Sequence, residues 1–185
     1  MRALPPNAPA ELESLLLSEA EIQDRVAELG RRITIDYAGR DLVLVTVLKG
    51  GLFFLADLCR SIDLPLAFDF MATSTYGPAA LTGEVRITKD LDEDLRGRAV
   101  IVVEDIIDTG MTLNYLLGVL RGRGPASVEV CVLLDKDIRR IVDLPIAYRG
   151  FEIEDRFVVG YGLDLDGGMR NLPYVATLPD SLMGV

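Results

Sequence analysis

AVIVVEDIIDTGMTLNYLLGVL, spanning Ala99 to Leu120, is the stretch whose reading decides the fold. Its first five residues, Ala99 to Val103, are apolar and mostly β-branched, too few for a helix and suited to a strand buried on both faces. Glu104 and Asp105 then arrive where that strand is expected to end. Asp108 follows in a short loop, and Thr109, Gly110 and Thr112 lead into a helical run, Leu113 to Leu120. In an open parallel sheet, ligands bind beyond the carboxyl ends of the strands, and a helix starting there turns free backbone N–H groups toward an anion. The stretch therefore sets three carboxylates beside a cradle of phosphate size. An ordinary helix cap also favours Asp and Thr, but a cap gives no reason for paired acids at the same edge.

Working outward, the same strand-then-site pattern recurs. Leu42 to Leu48 is a continuous apolar strand, broken by Lys49, Gly50 and Gly51 before the helical run Leu52 to Cys59. Two glycines after a lysine let backbone N–H groups approach a phosphate while the ammonium supplies charge; taken alone, they also suit a plain strand-to-helix turn. Ser127 to Leu134 is a further strand, ending at Asp135 and Lys136, so that Lys136 falls on the ligand edge. Ala67 to Thr73 forms another strand, followed by the small-residue loop 74–85, STYGPAALTGEV, and a returning strand, Glu84 to Lys89. Short strands are expected at Ala147 to Ile153, Phe157 to Gly162 and Leu172 to Leu178, the first two joined by the charged turn Glu154, Asp155, Arg156. Ahead of all this, Ser18 and Glu21 form a capping-box pattern, and Ile22, Val26, Leu29, Ile33 and Tyr37 recur at helical spacing. The first ten residues, with Pro5, Pro6 and Pro9, read as a loose tail.

The chain has 185 residues, half of them apolar, which suits one domain over 1–185 with a sizeable core. Its net charge of −10 argues against a nucleic-acid polymer as partner, since neutralising a phosphate backbone needs clustered Lys and Arg. Lysines stand only at 49, 89 and 136, against 16 arginines, and two of the three lie in the segments above. No histidine is present, so acid–base work falls to carboxylates. Cys59 and Cys131 sit in apolar runs without metal-ligand spacing and read as buried thiols in a reducing compartment. No secretory signal pattern or long apolar span is visible, and a cytoplasmic enzyme with no membrane association is expected.

VVEDIIDTGMT, with LLDKD and FVVGYGLD further along, resembles the type I phosphoribosyltransferases, and among them the hypoxanthine (6-oxopurine) phosphoribosyltransferases, over roughly Ser18 to Leu178. The resemblance implies an α/β fold: a central, mainly parallel sheet flanked by helices, with a small hood region and a flexible loop. It implies a purine salvage enzyme that moves the 5-phosphoribosyl group from phosphoribosyl pyrophosphate (PRPP) to hypoxanthine or guanine, releasing pyrophosphate, with Mg²⁺ as cofactor. It assigns Glu104, Asp105, Asp108, Thr109, Gly110, Met111 and Thr112 to the ribose phosphate, with Asp108 as the catalytic proton acceptor. Lys49, Gly50 and Arg170 take pyrophosphate, with a cis peptide at Leu48–Lys49. Lys136, Phe157, Val158 and Asp164 hold the purine, and Glu104, Asp105 and Asp164 serve the metal. Ser74 and Tyr76, on a mobile loop over 74–85, reach over the substrate. Asp137 stands where the family usually has Pro, Leu165 where it has Tyr, and Gly167–Gly168 is expected to loosen that turn. The family is usually dimeric or tetrameric. Two other readings share the fold: a xanthine-preferring enzyme, and a non-catalytic PRPP-sensing regulator.

Overall fold

The computed structural model describes residues 2–74, 86–139, 141–179 and 181. Its central sheet has six strands in the order β4-β3-β2-β5-β6-β7. They are β2 (Leu42–Leu48), β3 (Leu66–Ser74), β4 (Arg86–Lys89), β5 (Ala99–Ile107), β6 (Ser127–Asp135) and β7 (Tyr148–Glu152). All pairings are parallel except β3 with β4. The helices are α1 (Glu19–Asp36), α2 (Leu52–Ser61) and α3 (Met111–Arg121).

The apolar runs are continuous because both sheet faces are covered. Along β2, Leu42 and Leu44 pack with Ile22, Val26, Leu29 and Ile33 of α1 and with Phe54 and Leu58 of α2. Val43 and Val45 point the other way, onto Leu113, Leu116, Leu117 and Leu120 of α3. This is the period-two alternation of a strand with a hydrophobic layer on each side. The first helix starts where the capping box predicts: Ser18 Oγ accepts the Glu21 amide at 3.3 Å, and the Ser18 amide donates to Glu21 Oε2 at 2.8 Å.

A second, three-stranded antiparallel sheet, ordered β1-β9-β8, is the hood, built from β1 (Ser14–Leu17), β8 (Val158–Val159) and β9 (Val175–Thr177). The four-residue β1 is not anticipated from sequence. Nor is the start of the chain a loose tail from Arg2 on. The Leu15 amide donates to the Arg2 carbonyl at 3.2 Å, the Arg2 guanidinium pairs with Glu21, and Leu4 and Ala8 pack on the hood core of Leu12, Val159, Tyr174 and Leu178. Three prolines restrict this segment without preventing its side chains from burying.

Two further departures bear on the site. The strand β5 does not stop at Val103: the ladder with β6 continues through Glu104↔Val132 to Ile107↔Asp135, so both acids belong to the strand itself. Ile106 and Ile107 are good strand formers, and the backbone pairing carries through the polar pair. The turn at 165–168 is tight rather than loosened. Leu165 and Gly168 exchange both backbone hydrogen bonds around Asp166 (φ 50°) and Gly167 (φ 83°), a two-residue hairpin of the kind an Asp-Gly pair favours.

Candidate functional site

Because β3, β2, β5, β6 and β7 run parallel, their carboxyl ends share one edge. That edge collects Ser74, Lys49, Glu104 to Asp108 and Lys136. A cavity of about 200 Å³ opens there, lined by Val47, Glu104, Ile106 to Gly110, Thr112 and Leu113. Apolar Val47, Ile107 and Leu113 share the lining with hydroxyl, amide and carboxylate groups.

The floor of this cavity is shaped by the start of α3. Gly110 caps the helix in the left-handed conformation (φ 79°), and a Cβ there would come within 3.0 Å of Leu144 Cδ1. The Thr109 hydroxyl accepts the Met111 amide at 3.4 Å, and no side chain caps the helix from Gly110. Beyond Met111, the first-turn amides of Thr112 and Leu113 have no side-chain cap among the described residues and are left for a ligand, and the helix dipole adds a favourable contribution of about 0.3 to 1 kcal/mol for an anion. Met111 itself is 47 % exposed and does not line the cavity. Among the described side chains, Asp108 Oδ1 is buried without a hydrogen-bond partner, while Oδ2 lies 3.6 Å from Arg139 Nη1.

Beside the cavity, the Lys49–Gly51 turn carries the expected cis peptide between Leu48 and Lys49. Lys49 is exposed, and no ion-pair partner approaches it among the described residues. Gly50 lies so close to Asp105 that a Cβ would fall 1.9 Å from Asp105 Oδ2. On the opposite side, Gly162 (φ 103°) packs on the Gly50 carbonyl, where a Cβ would be 2.1 Å away. The Arg170 guanidinium donates to the Gly162 carbonyl and pairs with Asp164 Oδ1 at 2.5 Å, and Asp164 Oδ2 also accepts the Gly167 amide at 2.7 Å. The tight hairpin thus brings Asp164 and Arg170 onto the Gly50 turn, next to Asp105. Sequence reasoning passes over Gly162; its requirement for positive φ and close backbone approach is the kind of signal that could have marked it.

Charge at this edge is unbalanced. Burial, and then the neighbouring Asp105 charge, push the Glu104 carboxyl well above the ordinary carboxylate range. The Asp105 carboxyl is also raised, chiefly by burial and in lesser part by Asp164, against the Ile106 amide hydrogen bond and the Arg170 charge. Hard oxygen donors in excess of positive charge fit a divalent cation such as Mg²⁺. Among the described residues, no three His, Cys, Asp or Glu side chains cluster closely enough to hold a metal alone. Such donors fit an ion that takes most of its coordination from substrate oxygens and water, the usual habit of Mg²⁺.

The second lysine lies farther along the edge. Lys136, 7 % exposed, follows β6, and its ε-ammonium stands 3.6 Å from Asp155 Oδ1. Phe157, half-buried, packs against the hood core, with Val158 buried beside it on β8. Ser74 ends β3 opposite Arg86. Tyr76 and the rest of the expected loop, 75–85, lie outside the described residues.

A mainly parallel sheet with acids and a helix N-terminus at its carboxyl edge, covered by a small hood, defines a class. The phosphoribosyl transferase domain family matches residues 15–166, and the chain belongs to it. Within that class, the chain is 50 % identical to the hypoxanthine-guanine phosphoribosyltransferase of Mycobacterium avium, over 95 % of this chain and 93 % of that one. It is 51 % identical to the hypoxanthine phosphoribosyltransferase of Salmonella typhimurium, over 87 % and 92 %. The crystal structure of a hypoxanthine phosphoribosyltransferase from Staphylococcus aureus superposes with a TM-score of 0.91 at 43 % identity, covering 96 % of this chain and 98 % of that one.

Proposed function

We propose that the chain is a purine salvage transferase that moves the 5-phosphoribosyl group of PRPP to hypoxanthine or guanine, giving IMP or GMP and pyrophosphate. The observation that carries this reading is the meeting, at one sheet edge, of an amide-lined helix start, the acids of β5 and the Lys49–Gly50 turn with Arg170.

In this proposal, Thr109, Gly110, Met111 and Thr112 hold the 5′-phosphate at the start of α3. Glu104 and Asp105 face the ribose hydroxyls. The exposed Lys49 ammonium, the Gly50 amide and the planar Arg170 fork take pyrophosphate oxygens. A purine ring nitrogen bonds to C1 of the ribose as the bond from C1 to the pyrophosphate oxygen breaks. The ring proton passes to Asp108, a reading supported by a buried Oδ1 with no hydrogen-bond partner among the described residues, and the transfer contributes about 10² to 10⁴ in rate. Lys136 donates to the 6-oxo group. Phe157 stacks on the base, the Val158 backbone reads its edge, and Asp164 closes the far end. Glu104, Asp105 and Asp164 are the residues that would contribute oxygens to a Mg²⁺ ion, most of whose coordination would come from substrate and water; when bound, the ion would neutralise charge on the leaving pyrophosphate. Ser74 and Tyr76, with the loop 74–85, belong to the proposal as a cover that keeps water out.

Adenine presents a donor where Lys136 needs an acceptor, and mismatches of this kind discriminate by about 10⁴ or more. The test is a panel of hypoxanthine, guanine, xanthine and adenine with PRPP and Mg²⁺, following nucleotide formation. Nucleotide from hypoxanthine and guanine but not adenine is expected; no product from any 6-oxopurine would sink the reading, and a dominant xanthine rate would narrow it. We also propose a homo-dimer or homo-tetramer, testable by light scattering, and a cytoplasmic location. The latter is supported by two free cysteines, Cys59 and Cys131, as expected of a reducing compartment.

A further inference from the structure

We infer that Asp155 is the positioning residue that aims Lys136 at the purine, and that Arg139 ties this pair to Asp108. The inference rests on the function proposed above, in which Lys136 and Asp108 meet opposite parts of the reaction and neither Asp155 nor Arg139 has a role.

Four side chains alternate in charge across the purine end of the site. Asp108 Oδ2 lies 3.6 Å from Arg139 Nη1, Arg139 Nε donates to Asp155 Oδ2 at 2.6 Å, and Asp155 Oδ1 lies 3.6 Å from Lys136 Nζ. The distances are unequal in a useful way. The short bond to Arg139 fixes the Asp155 carboxylate, whereas 3.6 Å to Lys136 is an ion pair without a full hydrogen bond. The lysine is thereby oriented while its N–H donors, without a hydrogen-bond partner among the described residues, stay available for a 6-oxo group. Lysine is a point charge on a flexible four-carbon stem, so something must supply the direction that the residue lacks. Arg139 holds the Asp155 carboxyl below its usual range, so the counter-charge is present throughout the neutral region.

The backbone beneath these side chains is tied together. The Lys136 amide donates to the Ile107 carbonyl at 3.0 Å, the Arg139 amide to the Lys136 carbonyl at 3.1 Å, and the Ile141 amide to the Thr109 carbonyl at 3.0 Å. The Ile153 amide donates to the Asp135 carbonyl at 2.9 Å, which holds the approach to Asp155 against the end of β6. The phosphate cradle, the Lys136 turn and the Asp155 segment are therefore held in one frame.

The test compares Asp155→Asn and Asp155→Glu with the wild type in steady-state kinetics, varying hypoxanthine and PRPP separately, with melting temperatures recorded. For Asp155→Asn, KM for hypoxanthine should rise about tenfold, the effect of losing one charged contact, with KM for PRPP within twofold. Asp155→Glu should recover part of the loss, because it restores the charge. A hypoxanthine KM within twofold of wild type in both variants overturns the inference. So does an equal rise in both KM values, the pattern of a merely structural residue. A wild-type protein inactive with every 6-oxopurine instead overturns the proposed function on which the inference stands.

Discussion

Replacing Gly50 by Ala tests the geometry of the site at its tightest point. The added Cβ would lie 1.9 Å from Asp105 Oδ2, where ordinary contact begins near 3.4 Å, so the groups must part by about 1.5 Å. The turn has little room to yield. A Cβ on Gly51 would meet Thr46 Oγ1 at 2.1 Å, and Gly162 presses on the Gly50 carbonyl from the other side. Most of the movement therefore falls on the Asp105 carboxylate, which gives up the Ile106 amide that donates to Oδ1 at 2.9 Å. Overpacking of this kind costs about 1 to 3 kcal/mol, which for a domain of this size lowers Tm by about 2 to 4 °C per kcal/mol. A group at the reacting sugar that moves by about 1 Å costs on the order of 10² in rate. We expect Gly50→Ala to fold, to melt several degrees lower, and to lose about 100-fold in kcat/KM for PRPP at saturating hypoxanthine. Gly39→Ala is the control: its φ of 76° strains any side chain, yet nothing lies within 4 Å of the added atom. It should cost about 1 to 2 kcal/mol of stability and leave kcat/KM unchanged. If Gly50→Ala kept kcat/KM for PRPP within threefold of wild type, the Gly50–Asp105 contact would not position the reaction.

Three further outcomes follow from other parts of the molecule. Asp108→Asn should lower kcat by about 10² to 10⁴ with KM for PRPP little changed, measured by nucleotide formation; wild-type turnover would remove Asp108 as the proton acceptor. Hydrogen bonds from Arg2, and then from Ser18, bring the Glu21 carboxyl down to about 2. A lowered folded-state value contributes stability that is complete above the unfolded value near 4.5 and is lost as pH falls through about 2. Ser18→Ala should therefore cost about 1 kcal/mol at pH 7, and its Tm deficit should shrink between pH 4.5 and 2; a deficit independent of pH contradicts the capping-box account. Burial pushes the Cys59 thiol up to about 11 and the Cys131 thiol higher still. At pH 8 the folded protein should react with iodoacetamide on the order of 100-fold more slowly than free cysteine, read by mass spectrometry, and rapid labelling of Cys59 would refute this.

Legibility in the sequence followed the length of each pattern. Leu42 to Leu48 is read from composition and found without a shifted boundary, because a strand covered on both faces leaves seven apolar residues in a row. The helix after Ser18 is equally plain, since a reciprocal cap and five apolar positions agree. The hood is legible in part: β8 and β9 fall inside the expected Phe157 to Gly162 and Leu172 to Leu178 but are only two and three residues long, and the four-residue β1 is too short for a period of two to stand out. The strand β5 runs past the end expected at Val103 because hydrophobicity reports what surrounds a side chain, whereas the ladder through Glu104 depends on backbone amides. Reading Gly167–Gly168 as a loosening overlooked the preceding Asp166, which makes the pair Asp166–Gly167 a turn former.

The candidate site was more legible than the hood, and the reason is topological. A parallel sheet turns one-dimensional information into a shared edge: whatever follows an apolar strand arrives at the same side as whatever follows the next. Lys49, Glu104 to Asp108 and Lys136 could therefore be grouped without knowing any distance between them, once three strands were assigned. The rule holds only for residues that follow a strand of that sheet directly. Arg170 comes by another route, through hairpins centred on Tyr161–Gly162 and Asp166–Gly167 whose positive φ values fold the chain back onto Gly50. Asp155 meets Lys136 from 19 residues away across the end of β7. Nothing in the charged turn EDR distinguishes a carboxylate that steers an ammonium from one that is merely solvated. That distinction is made by two distances on one carboxylate, 2.6 Å to Arg139 and 3.6 Å to Lys136, and such asymmetry exists only in three dimensions.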